Sequence, residues 1–330
     1  MKFVNANAEY LDPSTMHPYE FMELAGRTCY KSEANITKDS STKFVAALMK
    51  NGHTAMLEHS HLYFKVQYSF SQLLAAVLHT IEAAPEKPNN FTPYINITDM
   101  EDISYVSASF RTFINICNMP SGIELLSATG IYPKLHEAYP ELFEAVVAEK
   151  EDRPDAELMT QAEFIQDVGD TFTPVDVDNI LRKHVTHTIK FTCDRGVSHE
   201  FVRHRPASFA QESTRYCNYS KDRFGNEIAV IRPYFFKDSP EKMRVWEESC
   251  VAAQTAYRDL LESGATPQEA RSVLPTSLKT ELIITATEEE WQHIINLRYH
   301  GTTGKPHPQM FEVMEIAYPI LVNNSDFRLQ

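Results

Sequence analysis

The sequence predicts an α+β fold with a helical majority. Three observations carry that expectation. Capped segments with apolar residues at helical spacing recur along the chain, and runs of period-two alternation lie between them. The third is composition: 330 residues, 43% of them hydrophobic, include only 10 glycines, which describes a folded, helix-leaning globular protein and not a disordered one.

The elements follow in chain order. DSSTKFVAALMKNG (39–52) sets Phe44, Val45, Leu48 and Met49 on one helical face, with Gly52 as its stop. HSHLYFKV (59–66) reads as a strand, and SQLLAAVLHTIEAA and YVSASFRTFINICN carry helical patterns. HVTHTIKFT (184–192) is expected to be a strand, because Val185, His187, Ile189 and Phe191 alternate with Thr186, Thr188, Lys190 and Thr192. SHEFVRH should be a helix capped by Ser198 and ending near Arg205, since Pro206 disfavours helical geometry in the residue before it.

NEIAVIRPYF (226–235) is another strand candidate. A long helix then runs through SPEKMRVWEESCVAAQTAYRDLLESG, with Ser239 as cap, Pro240 in its first turn and Gly264 at its end. In TPQEARSVLP, Thr266 caps, Pro267 starts, Glu269 completes a capping box and Pro275 closes the turn. TSLKTELIITA reads as a strand, TEEEWQHIINLRYH as a capped helix, and PQMFEVMEIAYPILV as the last helix. No internal repeat or low-complexity segment interrupts the series.

Charge is unevenly distributed. Residues 69–183 hold 19 acids against 7 Lys and Arg, so this block carries nearly all of the net charge of −14. Its most polar part, AEKEDRPDAELMTQAEF (148–164), reads as a solvated helix-and-loop surface. Such acidity argues against a nucleic-acid-binding protein, which needs broad basic surface. It leaves room for a small phosphorylated ligand held by a local arginine cluster. Five scattered cysteines without a C-x-x-C pair argue for a reducing compartment and against a disulfide framework or structural zinc. The N-terminus MKFVNANAEYLDP has no long apolar run and no segment reaches the length of a membrane span, so a soluble cytoplasmic protein is expected.

Within this acidic chain one stretch, FVRHRPASFAQESTRYCNYS (201–220), gathers Arg203, His204, Arg205 and Arg215. Planar guanidinium groups clamp phosphate or an imide edge through two parallel bonds, and serine and backbone N–H groups add donors. Ser213, Arg215 and Tyr216 follow the R-H-R run at short range. RHRPASFAQES resembles the R-H-R-x7-S signature of the flavin-dependent thymidylate synthases, and STRY continues the likeness. Three further segments are similar to motifs of that family, in the same order: GHTAMLEH (52–59), EARSVLP (269–275), and NLR (296–298) followed by His307 and Gln309. The resemblance covers residues 1–68 and 184–330.

The resemblance implies a twisted sheet flanked by helices, assembled as a homotetramer with shared sites. It also implies methylation of dUMP to dTMP, with methylenetetrahydrofolate as carbon donor and FAD, reduced by NADPH, as hydride source. Under it, Arg203, His204 and Arg205 contact the flavin, with Arg203 also near the nucleotide. His53 and His307 line the flavin pocket. Ser213, Arg215 and Arg271 fall on dUMP-binding positions, and Arg298 matches the catalytic arginine facing the uracil ring. A guanidinium there favours negative charge on the imide and enriches the ring carbon being alkylated.

This chain departs from the family pattern at several places. Glu200 and Gln211 occupy positions where the family often has Gln and Glu; both are assigned to substrate and Gln211 also to flavin. Glu200 and Glu212 are therefore rival carriers of the displaced carboxylate. Thr287, Glu288 and Glu289 replace an N-x-R element, and His293 stands at a cofactor position where Asn is common. The block 69–183 reads as a large, mostly helical insertion, in which YVSASFR (105–111) is the part nearest in character to a pocket segment.

Competing site chemistries fare worse. Glu58, His59 and His61 share strand spacing, but no further set of spaced ligands supports a metal, so none is assigned. Ser213 with His204 lacks the G-x-S-x-G elbow of a hydrolase. Cys217 reads as a packed residue, and no G-x-G-x-x-G marks a Rossmann flavin site. The alternative function is a nucleotide- or flavin-binding regulator with impaired catalysis.

Overall fold

The computed structural model describes residues 1–67, 95–100, 102–145, 155–215 and 227–325. The chain divides into two compact units: Met1–Asp12, Glu23–Lys38 and His187–Gln330 form the first, and Pro13–Met22 with Asp39–Thr186 form the second.

The first unit contains strands β1 (Lys2–Val4) and β2 (Asn7–Tyr10) and most of helix α1 (Pro18–Tyr30), an element that periodicity did not single out. Strands β7 (Thr186–Asp194), β8 (Ala207–Gln211), β9 (Ala229–Ile231) and β10 (Lys279–Thr287) build its sheets. The main sheet runs β2-β7-β10-β8, with β2 antiparallel to β7 and β8 antiparallel to β10; β1 and β9 form a separate parallel pair. Helices α8 (Arg195–Phe201), α11 (Glu288–Arg298) and α12 (Pro308–Asn324) bury Val197, Phe201, Trp291, Ile294, Met310 and Met314 against Ile189, Phe191, Leu282 and Ile284 of this sheet. Covering helices explain why β7 is almost continuously buried where the sequence suggested one wet face. The long helix α9 (Pro240–Glu262) and the short α10 (Pro267–Ala270) contribute to a smaller core of Ile228, Tyr257, Ala270 and Leu278. The capping box of Thr266 and Glu269 is present as read from the sequence.

One helix begins earlier than expected. The helix α8 is capped by Asp194, whose carboxylate accepts from Val197 N at 2.7 Å, while Ser198 lies inside it and bonds back to Arg195 O. It ends at Phe201, short of Arg205. An ionised carboxylate at the helix start outcompetes a serine hydroxyl one turn later.

The second unit holds α2 (Ser41–Lys50), β3 (His61–Val66), β4 (Ile95–Met100), β5 (Ile103–Ser109), α3 (Phe110–Cys117), α4 (Gly122–Ala128), α5 (Ile131–Ala138), β6 (Ala156–Met159), α6 (Gln161–Thr171) and α7 (Pro174–His184). Its sheet, β4-β5-β3-β6, is antiparallel throughout. One expectation is corrected here. YVSAS is strand β5 and only the following FRTFINIC is helical, because a strand buried on both faces shows no alternation to read. The acidic block supplies strands β5 and β6, which flank β3. Within 148–164, the described part forms β6 and the start of α6, with Ala156, Met159 and Phe164 buried. SQLLAAVLHTIEAA lies outside the described residues.

Two histidines, the half-buried His61 and the buried His184, are expected to make this unit acid-sensitive. Burial pushes His61 down to about 4 and His184 to about 3; the His184 ring also contacts Thr98 Oγ1 and Ser107 Oγ, each at 3.0 Å. Their folded values lie below the ordinary value near 6.5, so the unfolded chain takes up these protons first as pH falls. Stability is therefore expected to decline from about pH 6.5 to the folded values, at on the order of 1 kcal/mol per pH unit for each histidine fully in its window. Urea unfolding of the wild type and His184→Gln at pH 7 and pH 5 checks this; an unchanged pH slope in the variant removes His184 as a cause.

Candidate active site

Site residues in the first unit gather where α8 ends and α11 runs alongside. Thr287 caps α11 by accepting from Glu290 N at 3.4 Å, which fixes Glu290 in the first turn and Arg298 at the helix end. Between them sits the His204 ring, buried at 5% exposure. Its Nδ1 lies 3.2 Å from Glu290 Oε1, and its Nε2 accepts from Arg298 Nε at 3.2 Å. Arg298 also donates from Nη1 to Glu200 Oε2 at 2.7 Å and from Nη2 to the Glu200 carbonyl at 3.1 Å. Three of its five N–H groups are thus spoken for and the guanidinium plane is fixed. His293 packs edge-on to His204 with ring centroids 5.6 Å apart.

A second cluster lies past the other end of β8. Arg271 Nη1 donates to Thr214 Oγ1 at 3.0 Å, Arg215 N donates to Ser213 Oγ at 3.3 Å, and Ser213 N is tied to Cys29 O at 2.9 Å. Gln211 points at α8, donating from Nε2 to Ser198 Oγ at 2.7 Å. Beneath this loop is a network of opposite charges. Lys279 Nζ meets Glu212 Oε2 at 3.2 Å and Glu281 Oε1 at 2.5 Å, and Lys190 Nζ meets Glu281 Oε2 at 2.9 Å. Lys31 joins both carboxylates from a left-handed backbone position with φ 50°. Burial by itself would raise the Glu281 carboxyl, but the ammonium groups of Lys279 and Lys31 outweigh it and hold the group well below the usual carboxylate range.

These contacts separate Glu200 from Glu212. The Glu212 side chain is 3% exposed and committed to lysines, whereas Glu200 is 30% exposed beside Arg298. Glu200 is the carboxylate that a ligand can reach.

Arg203 and Arg205 are exposed on either side of His204. His307 is exposed and caps α12, its Nδ1 accepting from Gln309 N at 3.3 Å. It borders a cavity of about 430 Å³ lined also by Asp194, Glu200, Phe235 and Trp246. His53 lies in the second unit and is exposed. In that unit Arg111 of the YVSASFR segment ion-pairs with Glu58 of the GHTAMLEH segment. Tyr216 and Cys217 lie outside the described residues.

Sequence reasoning missed Glu290, Thr214 and Arg111 as partners of motif residues. The E-E-E run at the start of α11 read as a capped helix start and masked two glutamates turned inward, Glu288 toward His187 and Glu290 toward His204. Among the described residues, the ligand atoms of His204, Glu290 and His293 lie within 4.8 Å of one another. Arg298 nevertheless occupies the His204 Nε2 lone pair and adds a positive charge, both of which oppose a cation there. Among the described residues, burial pushes the Cys29 thiol up to about 11 and the Cys117 thiol up to about 12, which disfavours either as a thiolate nucleophile.

A family model described as thymidylate synthase complementing protein matches residues 13–153 and 178–321. The chain is similar to the flavin-dependent thymidylate synthase of Geobacter sulfurreducens, at 35% identity over 104 residues, 32% of this chain and 43% of that protein. It is also similar to the enzyme of that name from Pyrococcus furiosus, at 28% identity over 142 residues, 43% of this chain and 55% of that protein. The chain thus spans about half the length of these curated relatives. A solved UMP/dUMP methylase from Streptomyces cacaoi aligns over 48% of this chain and 83% of its own, with 20% identity and a TM-score of 0.38.

Proposed function

The chain belongs to the thymidylate synthase complementing protein family, and on that premise we propose that it converts dUMP to dTMP by flavin-dependent reductive methylation. The observation that carries this reading is Arg298, a guanidinium held in plane by His204 and Glu200 at the end of α11. Its remaining N–H groups can meet a uracil imide oxygen, and the adjacent Glu200 carboxylate can accept from the ring N3–H. Both contacts favour charge on the imide and make the ring carbon more nucleophilic.

The donor set also fits the implied cofactor, FAD. Exposed Arg203 and Arg205 offer guanidinium groups suited to a pyrophosphate, and His293 and His307 offer rings. Bound FAD, reduced by NADPH, would supply the hydride, and methylenetetrahydrofolate the one-carbon unit. The chain's own residues would hold and orient the reactants.

Ser213, Thr214, Arg215 and Arg271 fit a phosphate site. Strand β8, five residues long, spans about 13 Å between this cluster and the one around Arg298. That separation supports a homotetramer in which one copy holds the base of dUMP and another its phosphate.

The direct test is to purify the protein, record its visible spectrum for bound flavin, and assay dUMP-stimulated NADPH oxidation and dTMP formation. A yellow oligomer with dUMP-dependent turnover is expected, and a protein that takes up no FAD excludes the reading. Ser213→Ala should raise the dUMP concentration needed for half-maximal rate about tenfold, the loss of a charge-assisted hydrogen bond, while keeping turnover. Trapping a covalent Ser213–nucleotide adduct would instead make Ser213 a nucleophile.

A further inference from the structure

We infer that Glu290 is a positioning residue: it fixes the tautomer of His204, and through that ring the pose of Arg298. The inference rests on the proposed uracil methylation only for its kinetic consequence; its structural content stands without a substrate.

The protonation pattern follows from donor and acceptor types. A guanidinium has no acceptor atom, so Arg298 Nε must be the donor in its 3.2 Å contact with His204 Nε2. His204 Nε2 therefore carries a lone pair, and the proton of the neutral ring sits on Nδ1. Nδ1 is 3.2 Å from Glu290 Oε1, and an ionised carboxylate can only accept. The three groups thus allow one arrangement: Glu290 accepts from Nδ1–H, and Nε2 accepts from Arg298. At 5% exposure for His204 and 7% for Glu290, water is a poor substitute for either partner.

The backbone makes this chain necessary. Glu290 and Arg298 lie on the same helix, eight residues and about 12 Å apart along its axis. The imidazole of His204, arriving from the end of α8, fills the gap between the two side chains. Without the carboxylate, nothing holds the proton on Nδ1. The other neutral tautomer then presents Nε2–H to Arg298 Nε–H, donor against donor, and the guanidinium loses one of its three anchors. Misplacement of a group by about 1 Å is enough to cost on the order of 10²-fold in a positioned reaction.

Two variants test this. Glu290→Met replaces the carboxylate with an apolar chain of similar length, and Glu290→Gln keeps a polar group should the first fail to fold. The readout is nitrogen NMR of histidine-labelled protein, with the His204 signals identified by their loss in His204→Asn. In the wild type a protonated Nδ1 and an unprotonated Nε2 are expected at neutral pH. In Glu290→Met this pattern should be lost, or mixed with the Nε2–H form. Single-turnover dTMP formation should fall about 10- to 100-fold, while flavin content and the dUMP dissociation constant change less than threefold. In an Arg298→Lys background, Glu290→Met should cost almost nothing more, because lysine cannot make the His204 and Glu200 contacts together.

A wild-type His204 that is charged or carries its proton on Nε2 overturns the inference. So does a Glu290→Met protein with wild-type tautomer and wild-type rate, or full cost of Glu290→Met in the Arg298→Lys background. Joint shifts of the His204 and His293 signals at one equivalent of Zn²⁺ would make this cluster a metal site instead. If no dTMP forms in any protein, the proposed function fails, and the tautomer measurement still decides the role of Glu290.

Discussion

Arg298→Lys is expected to bind FAD normally, to accept electrons from NADPH, and to form dTMP about 10²–10³-fold more slowly than the wild type at saturating dUMP. The expectation follows from three donor contacts that only a guanidinium can make at once: Nε to His204, Nη1 to the Glu200 carboxylate and Nη2 to the Glu200 carbonyl. Lysine offers a point charge on a flexible stem and reproduces the charge without the plane. If the arginine stabilises negative charge on the uracil, its contribution grows from ground state to transition state, so the rate suffers more than binding. Arg271→Lys is the control. Arg271 holds Thr214 Oγ1 at the proposed phosphate cluster, and its replacement should chiefly raise the dUMP concentration required. Measuring flavin reduction and single-turnover dTMP formation separately for both variants distinguishes the roles. Wild-type single-turnover rates in Arg298→Lys would remove Arg298 from the chemistry.

Much of this architecture is legible in the sequence, for local reasons. The Thr266–Glu269 capping box, the Thr287 cap of α11 and the proline-started α9 are decided within a few residues of chain. The two clusters were legible as motifs, because guanidinium groups beside serine and threonine mark a candidate anion site in the sequence itself. What sequence could not show is pairing across the chain. His204 meets Glu290 at a separation of 86 residues and Arg298 at 94. Nothing in the run of three glutamates marks that Glu288 goes to His187 and Glu290 to His204. Strand β5 failed for another reason: its pattern carries no alternation because both faces are covered. The rivalry between Glu200 and Glu212 also needed three dimensions. Both are single glutamates in polar surroundings, and only the lysines packed around Glu212 separate a structural carboxylate from an accessible one.

That distinction yields the second large effect. Lys279→Met is expected to destabilise the protein by about 3 kcal/mol, at the lower end of the cost of breaking a buried ion pair. Lys279 touches both Glu212 and Glu281, so its removal strips a shared counter-charge from two carboxylates at once. Lys31 and Lys190 remain and keep the penalty from growing further. The pH dependence has a definite sign. The folded Glu281 carboxyl is held below its ordinary value, so the stabilisation is present above about pH 4 and is lost as pH falls through the folded value. The gap between wild type and Lys279→Met should therefore be widest at neutral pH and narrow in acid. The consequence for ligand binding is local: Glu212 N bonds Glu281 O, and the next residue, Ser213, bonds Cys29 O. A loosened Glu212 loosens the Ser213–Arg215 turn, so dUMP affinity should fall with stability. Glu200→Gln makes the complementary case, leaving the unfolding midpoint within error while altering turnover. Urea unfolding at pH 7 and at about pH 3, inside the window below the ordinary glutamate value, paired with dUMP binding at pH 7, separates the two glutamates. A Lys279→Met protein as stable as the wild type at pH 7 would return Glu212 to the list of carboxylates available for chemistry.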